Sequence, residues 1–176
     1  MKEELIQQID GLDSELQALV AKIQSYSHQQ LNQQPTPNSW SPTQIMHHLM
    51  LSEKYSLLYC EKKLSYKPTL KTVGPIDRLK EKMIKWYLQV PIKIKAPTKL
   101  NESQLPKESN LADILNQWQE QRKTLRLFFE ELPTEYVDKV IYKHPFGGRL
   151  SLKGMLNFFE AHFDRHCKQL MRALIS

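Results

Sequence analysis

Apolar residues recur every three or four positions along most of this chain. Leu5, Ile9, Leu12, Leu16, Leu19 and Ile23 form one stripe on a segment running from Lys2 to about Tyr26, as an amphipathic helix requires. Ser27–Ser39, with Pro35 and Pro37, interrupts it. A second helix has a clear start, with Ser41 as N-cap, Pro42 at the first helical position and Gln44 completing a capping box. Its inner stripe runs through Ile45, His48, Leu49, Ser52, Tyr55 and Tyr59 to about Tyr66. Pro75–Leu88 is a candidate helix, after which Pro91, Pro97 and Pro106 punctuate a lysine-rich connection. A third long helix is expected from Ser109 or Asn110, through Leu111, Leu115, Trp118, Leu125 and Phe129, to a stop at Pro133. A turn at Thr134–Val137 and a loop at His144–Gly148 precede the last helix, which Ser151 caps and which ends near Leu174. That helix carries Leu152, Met155, Phe159, His162, His166 and Leu170 on one side.

With only five glycines and no strand-like alternation of any length, the chain reads as all-α. Four long helices with a long crossover between the second and third make a four-helix bundle. The 176 residues are expected to form one domain, 1–176. No apolar run reaches the roughly 18 residues of a membrane span, so no membrane partner is expected. The N-terminus MKEELIQQIDGLDSEL is too polar for a signal peptide, so the cytoplasm is the expected compartment. Two cysteines, Cys60 and Cys167, make neither a disulfide framework nor a Cys-rich zinc site.

The net charge is +6, but positions 53–99 alone hold twelve Lys/Arg against four acids. Eleven of those cations are lysines, which lack the bidentate fork of arginine, and no nucleic-acid motif accompanies them. A solvated face and a lysine-rich connection are therefore expected, without specific nucleic-acid binding.

The candidate chemistry lies in the histidines. His162 and His166 are one helical turn apart and about 40° apart around the axis, and both interrupt an apolar stripe. Two imidazoles so placed can share one metal ion. His48 lies on the inner stripe of the second helix and fits a third ligand, whereas His47 is turned about 100° toward the flank or solvent. The alternative is three interior histidines, each hydrogen-bonded to a neighbour. Cys60 and Cys167 point elsewhere and read as buried or flanking apolar residues. Glu160 and Asp164 lie on the opposite side of the last helix from His162, facing solvent. Gln169, seven residues after His162, is placed to hydrogen-bond a ligand or a water. Tyr55, Tyr59 and Phe159 read as core.

Two segments carry a family likeness. Trp40-Ser41-Pro42-x-Gln44-Ile45-x-x-His48-Leu49 resembles the start of the second helix in DinB-like proteins. His144-Pro145-Phe146-Gly147-Gly148-Arg149-Leu150-Ser151, followed by Phe158-x-x-x-His162-x-x-x-His166-x-x-Gln169, resembles that family's last loop and helix. The resemblance implies an up-down-down-up bundle. It also implies a divalent ion (zinc, nickel or iron) on His48, His162 and His166, and frequent homodimers. Relatives of this kind resemble metal-dependent hydrolases and transferases or isomerases that use a low-molecular-weight thiol, so a small-molecule substrate is expected.

Three neutral imidazoles would leave a divalent ion at least one open position, the catalytic arrangement. A water or a thiol there would lose its proton more readily. No inward carboxylate is expected beside the histidines to serve a hydrolase as general base, which tilts the reading slightly toward thiol transfer. A non-catalytic metal- or ligand-binding bundle is the alternative. The His144–Gly148 loop enters the helix that carries two of the histidines, and either gates the site or only sets that helix's entry angle.

Overall fold

The computed structural model describes residues 1–37, 39–90 and 105–175. The first apolar stripe forms α1 (Lys2–Ile23), with all six stripe residues buried. The Pro-containing break contains a one-turn helix, α2 (His28–Asn32), whose start is a capping box between Ser27 and Gln30. The Ser41–Gln44 box opens α3 (Pro42–Ser65). Helix α4 (Pro75–Gln89) follows, then α5 (Leu111–Glu131), capped by Asn110, whose side chain accepts the Ala112 amide. Ser151 caps α6 (Leu152–Leu174) by accepting the Gly154 amide at 2.8 Å. The connection from α3 to α5 is thus long, as expected, and it carries α4. Most of its lysine-rich part, with Lys93, Lys95 and Lys99, lies outside the described residues.

Element contacts fix the neighbours. On α1 and α5, Asp13 and Asp10 pair with Arg122 and Arg126. On α1 and α6, Gln8 donates to Asn157 and Lys153 meets Glu4. Cys60 on α3 touches Met155 on α6, and Glu53 on α3 meets Arg122 on α5. The apolar interior has two parts. One, around Leu12, Phe129, Leu150 and Phe159, lies under the hairpin end. The other, around Ile45, Leu49, Trp118, Phe163 and Leu170, surrounds the stretches of α3 and α6 that carry His48, His162 and His166.

The all-α expectation needs one correction. Val140–His144 (β1) and Gly148–Ser151 (β2) form an antiparallel hairpin, pairing Val140 with Ser151, Tyr142 with Leu150 and His144 with Gly148. Period-two alternation is absent because Val140, Ile141 and Tyr142 are all buried and the register slips between Val140 and Tyr142. The expected His144–Gly148 loop is the turn of this hairpin. Gly148 takes φ +74°, a conformation side chains resist.

Helix α4 lies over the hairpin and the start of α6 through unusual glycines. A Cβ on Gly147 would collide with Ile84, and one on Gly154 with Glu81. That closeness lets the Glu81 carboxylate accept both the Ser151 amide (2.9 Å) and the Ser151 hydroxyl (2.7 Å). At the other end of α4, Arg165 of α6 donates to the carbonyls of Leu88 (2.9 Å) and Val90 (2.7 Å).

A second correction concerns α3. Tyr55 is 41% exposed instead of buried, although Phe159 is in the core and Tyr59 packs edge-on to Tyr142. The first half of α3 is buried on nearly every side, but further along the packed residues are Ser52, Glu53, Ser56, Leu57 and Cys60. The packed face has turned away from Tyr55 toward β1, α5 and α6.

Candidate metal centre

The capping box at Ser41 sets where α3 begins, and therefore which side of it His48 occupies. The Ser151 cap does the same for His162 and His166 on α6. The three imidazoles converge, with one ligand atom from each lying within 4.8 Å of the others, and all three are buried. His48 Nε2 and His162 Nε2 stand 3.2 Å apart. Two nitrogens bound at about 2.0–2.1 Å to one tetrahedral ion would be separated by about 3.3 Å, so this pair already has the spacing a divalent cation of zinc's size asks for. The ring centroids are 4.5–5.0 Å apart, and no two rings lie flat on one another. That is the arrangement of side chains aimed edge-first at a common point.

Neighbours hold these rings in place. Gln169 Oε1 accepts from His166 Nδ1 at 2.9 Å, so Nδ1 carries the proton and Nε2 is left as the donor atom. Gln169 was expected to face a ligand or a water; it faces a histidine. Trp40 packs against His48 at 4.8 Å and lies nearly parallel to His166 at 6.4 Å. Phe158 stacks on His162 at 5.0 Å and in turn meets the ring of His144 at 4.5 Å. The site is thus walled by two aromatic side chains, with Arg165 holding the adjacent end of α4.

The remaining histidines fall outside this cluster. His28 is on the surface beside Glu108. His47 occupies the flank as expected, but buried and not facing solvent: its Nε2 lies 2.8 Å from the Ser109 hydroxyl, where the chain enters α5. His144 Nδ1 accepts the amides of Phe146 and Gly147 and so closes the hairpin turn. Cys60 is fully buried beside Met155, and Cys167 is half-buried; burial pushes both thiols up, Cys167 to about 12. Asp164 is exposed, as expected, while Glu160 is half-buried and receives Gln8 and Lys85.

The buried acid on α3 carries no mark in the sequence. Glu53 is 4% exposed, and both its oxygens are taken, by Arg122 Nε (2.6 Å), Arg122 Nη2 (2.7 Å) and Trp118 Nε1 (3.0 Å). A spacing of five residues puts it about 140° around α3 from His48, away from the imidazoles. Nothing in the sequence pairs it with Arg122 across 69 residues.

Burial favours the neutral form of His162 and His166. It pushes His166 down to about 3, helped by His48 and Arg165 and opposed by the Gln169 hydrogen bond. His162 is also lowered well below the ordinary imidazole range, by burial first and then by the neighbouring histidines and Arg165. Burial alone takes His144 to about 4. Neutral imidazoles are the form that binds metal. The same shifts set a pH dependence in the metal-free protein. An unfolded chain takes up these protons below about pH 6.5, whereas the folded chain resists until about pH 4 at His144 and about pH 3 at His166. The stability they confer is complete above about 6.5 and is lost as pH falls through that window, at up to about 1.4 kcal/mol per pH unit for each histidine. Urea unfolding of chelator-treated protein should show a clearly lower midpoint at pH 5 than at pH 7.5; equal midpoints would mean these rings are not buried neutral.

A family model of the DinB superfamily matches residues 3–170. The chain belongs to the DinB superfamily. Among solved structures it is similar to YfiT from Bacillus subtilis, described as a probable metal-dependent hydrolase with an unusual four-helix bundle topology. That match has a TM-score of 0.61 at 17% identity and covers 98% of this chain and 85% of YfiT, so it speaks to the fold. No curated protein sequence matches the chain with significance. In this DinB-superfamily chain the three-histidine cluster is formed by His48 of α3 and the His162–His166 pair of α6.

Proposed function

We propose that this DinB-superfamily chain is a metal-dependent enzyme that binds one divalent ion (zinc, nickel or iron) through His48, His162 and His166. The observation that carries this is the convergence of three buried imidazoles whose donor atoms lie within 4.8 Å. A divalent ion on three neutral ligands keeps its full charge and, when bound, supplies Lewis-acid activation of a water or a thiol at an open position. Hydrolysis of a small molecule is the leading reading, supported by the description of YfiT and by the shared fold. The contacts between α1, α3, α5 and α6 support an up-down-down-up course of the bundle as part of it.

The chain's own residues have definite parts. His166 is oriented by Gln169, and the Trp40 and Phe158 rings exclude water from the flanks of the cluster and favour an apolar or planar substrate group. One observation favours a second reading, thiol transfer. The acid buried on α3, Glu53, is fully engaged by Arg122 and Trp118, and no carboxylate among the described residues joins the imidazole cluster to act as general base.

The test is a panel of esters, amides and reactive electrophiles, each with and without a small thiol, on metal-loaded protein and on His166→Ala. Thiol-independent cleavage lost in the variant supports hydrolysis, and thiol-dependent turnover lost in it supports transfer. Equal activity in the two proteins overturns both.

Gln169 gives a finer check. Gln169→Leu keeps the bulk but removes the acceptor that fixes the His166 tautomer, and metal affinity should fall by about 10- to 100-fold. Competition with a chromophoric chelator measures this. An unchanged affinity would show that His166 is oriented without it.

A further inference from the structure

Helix α4 wears its apolar side outward. Ile76, Leu79, Met83 and Trp86 are 59–68% exposed, and Tyr87 is 42% exposed. At about 100° per residue these five positions occupy one arc of about 100°. The opposite side, with Asp77, Glu81, Ile84 and Leu88, is the one packed on the hairpin and α6. Four or five large side chains so exposed present on the order of 500 Å² of contiguous apolar surface, the size at which a patch marks an interaction site.

The charges around this stripe are of one sign. Lys80 borders it on one side and Lys82 on the other, with Arg78 beyond Lys82. Among the described residues, none of these three cations has an acidic partner within ion-pair distance. Both acids of α4 are consumed on the packed side: Asp77 accepts from Lys71 (2.8 Å) and the Gly74 amide, and Glu81 from Ser151. Lys85, further round, pairs with Glu160. Among the described residues of α4 the stripe is rimmed only by cations, and such a stripe has a definite complement.

A second copy of the chain fits poorly, because two-fold pairing of α4 with itself would set these lysines against the same lysines, with no acid left to answer them. An anionic bilayer surface answers both features. Such a surface takes apolar and aromatic side chains to the depth of the headgroup boundary while its phosphates meet the flanking lysines. We propose that α4 docks this protein on anionic lipid surfaces, lying in the plane of the interface through Ile76, Leu79, Met83 and Trp86. The expectation of no membrane partner rested on the absence of a span, and no helix among the described residues is long and apolar enough to cross a membrane. A surface-lying helix needs none.

The experiment is flotation of the full chain with vesicles of equal parts phosphatidylglycerol and phosphatidylcholine, and with phosphatidylcholine alone, at about 0.1 M salt, where surface charges still act over about 10 Å. The wild type should float with the anionic vesicles and not with the neutral ones. Leu79→Glu/Met83→Glu should lower the bound fraction at least about tenfold, since two inserted side chains are lost. Lys80→Glu/Lys82→Glu should weaken binding and remove its salt dependence. Leu127→Glu, a control at an exposed apolar residue on α5, should bind like wild type. Circular dichroism and urea unfolding show that each variant is folded. The proposal is overturned if the wild type stays in solution, if it floats equally with neutral vesicles, or if the folded Leu79→Glu/Met83→Glu variant floats undiminished. A wild-type dimer that this variant splits, with no flotation, would overturn it too, and would assign the face to a second copy. None of these outcomes depends on the metal centre.

Discussion

His162→Ala is expected to leave the protein with little or no bound divalent ion after purification without an affinity tag, while wild type retains about one per chain. Three protein ligands are the usual complement of a catalytic zinc site, so removing one leaves two imidazoles, too few for tight binding. His48→Ala and His166→Ala should behave alike, because each contributes one donor atom to the same 4.8 Å cluster. The informative control is His47→Ala. His47 is adjacent to His48 in sequence and also buried, yet its Nε2 is given to Ser109 at 2.8 Å and not to the cluster. Its metal content should match wild type, even if losing that hydrogen bond costs stability. Elemental analysis of the four variants decides the matter: loss in three and retention in the fourth assigns the ligands, and equal content throughout removes them.

Much of this site was legible in the sequence for a local reason. Helical periodicity places residues 162 and 166 on one face whatever they pack against, and two strong caps, Ser41 and Ser151, fix the helix phases on which His48 and the pair depend. Five of the helices could be placed from stripes and caps. What stayed illegible depends on partners far away in sequence. The hairpin has no alternation because both faces of β1 are covered. Tyr55 sits on the right arc of α3 for burial, but the packed face turns before it is reached. Gln169 could be placed near the histidines but not given its partner, since that depends on side-chain reach. The lysine-rich stretch read as a solvated face, and only the docking of α4 by its acidic side shows that its lysines rim an apolar stripe.

Arg122→Met should destabilise the fold by about 3–5 kcal/mol, lowering the melting temperature by roughly 10 °C. Arg122 and Glu53 are each under 5% exposed, and the guanidinium spans the carboxylate through Nε and Nη2 while Nη1 reaches Asp13 at 3.1 Å. Burial by itself would lower the Arg122 pKa, but the charges and hydrogen bonds of Glu53 and then Asp13 outweigh it and raise it, so the guanidinium keeps its charge. The methionine variant fills the space and leaves Glu53 as a buried charge with only the Trp118 indole as donor, at 3.0 Å. That stranded charge, more than the lost attraction, is the source of the penalty. The partner experiment separates the two. In Glu53→Leu/Arg122→Met no charge is stranded, although Trp118 Nε1 and Asp13 lose partners, the former at a cost of about 1–3 kcal/mol. The double variant should therefore be more stable than Arg122→Met alone. Urea unfolding of wild type, Arg122→Met, Glu53→Leu and the double variant completes the cycle. If the double variant loses as much as the sum of the singles, the two side chains contribute independently and the buried pair is not the tie between α3 and α5 that its geometry indicates.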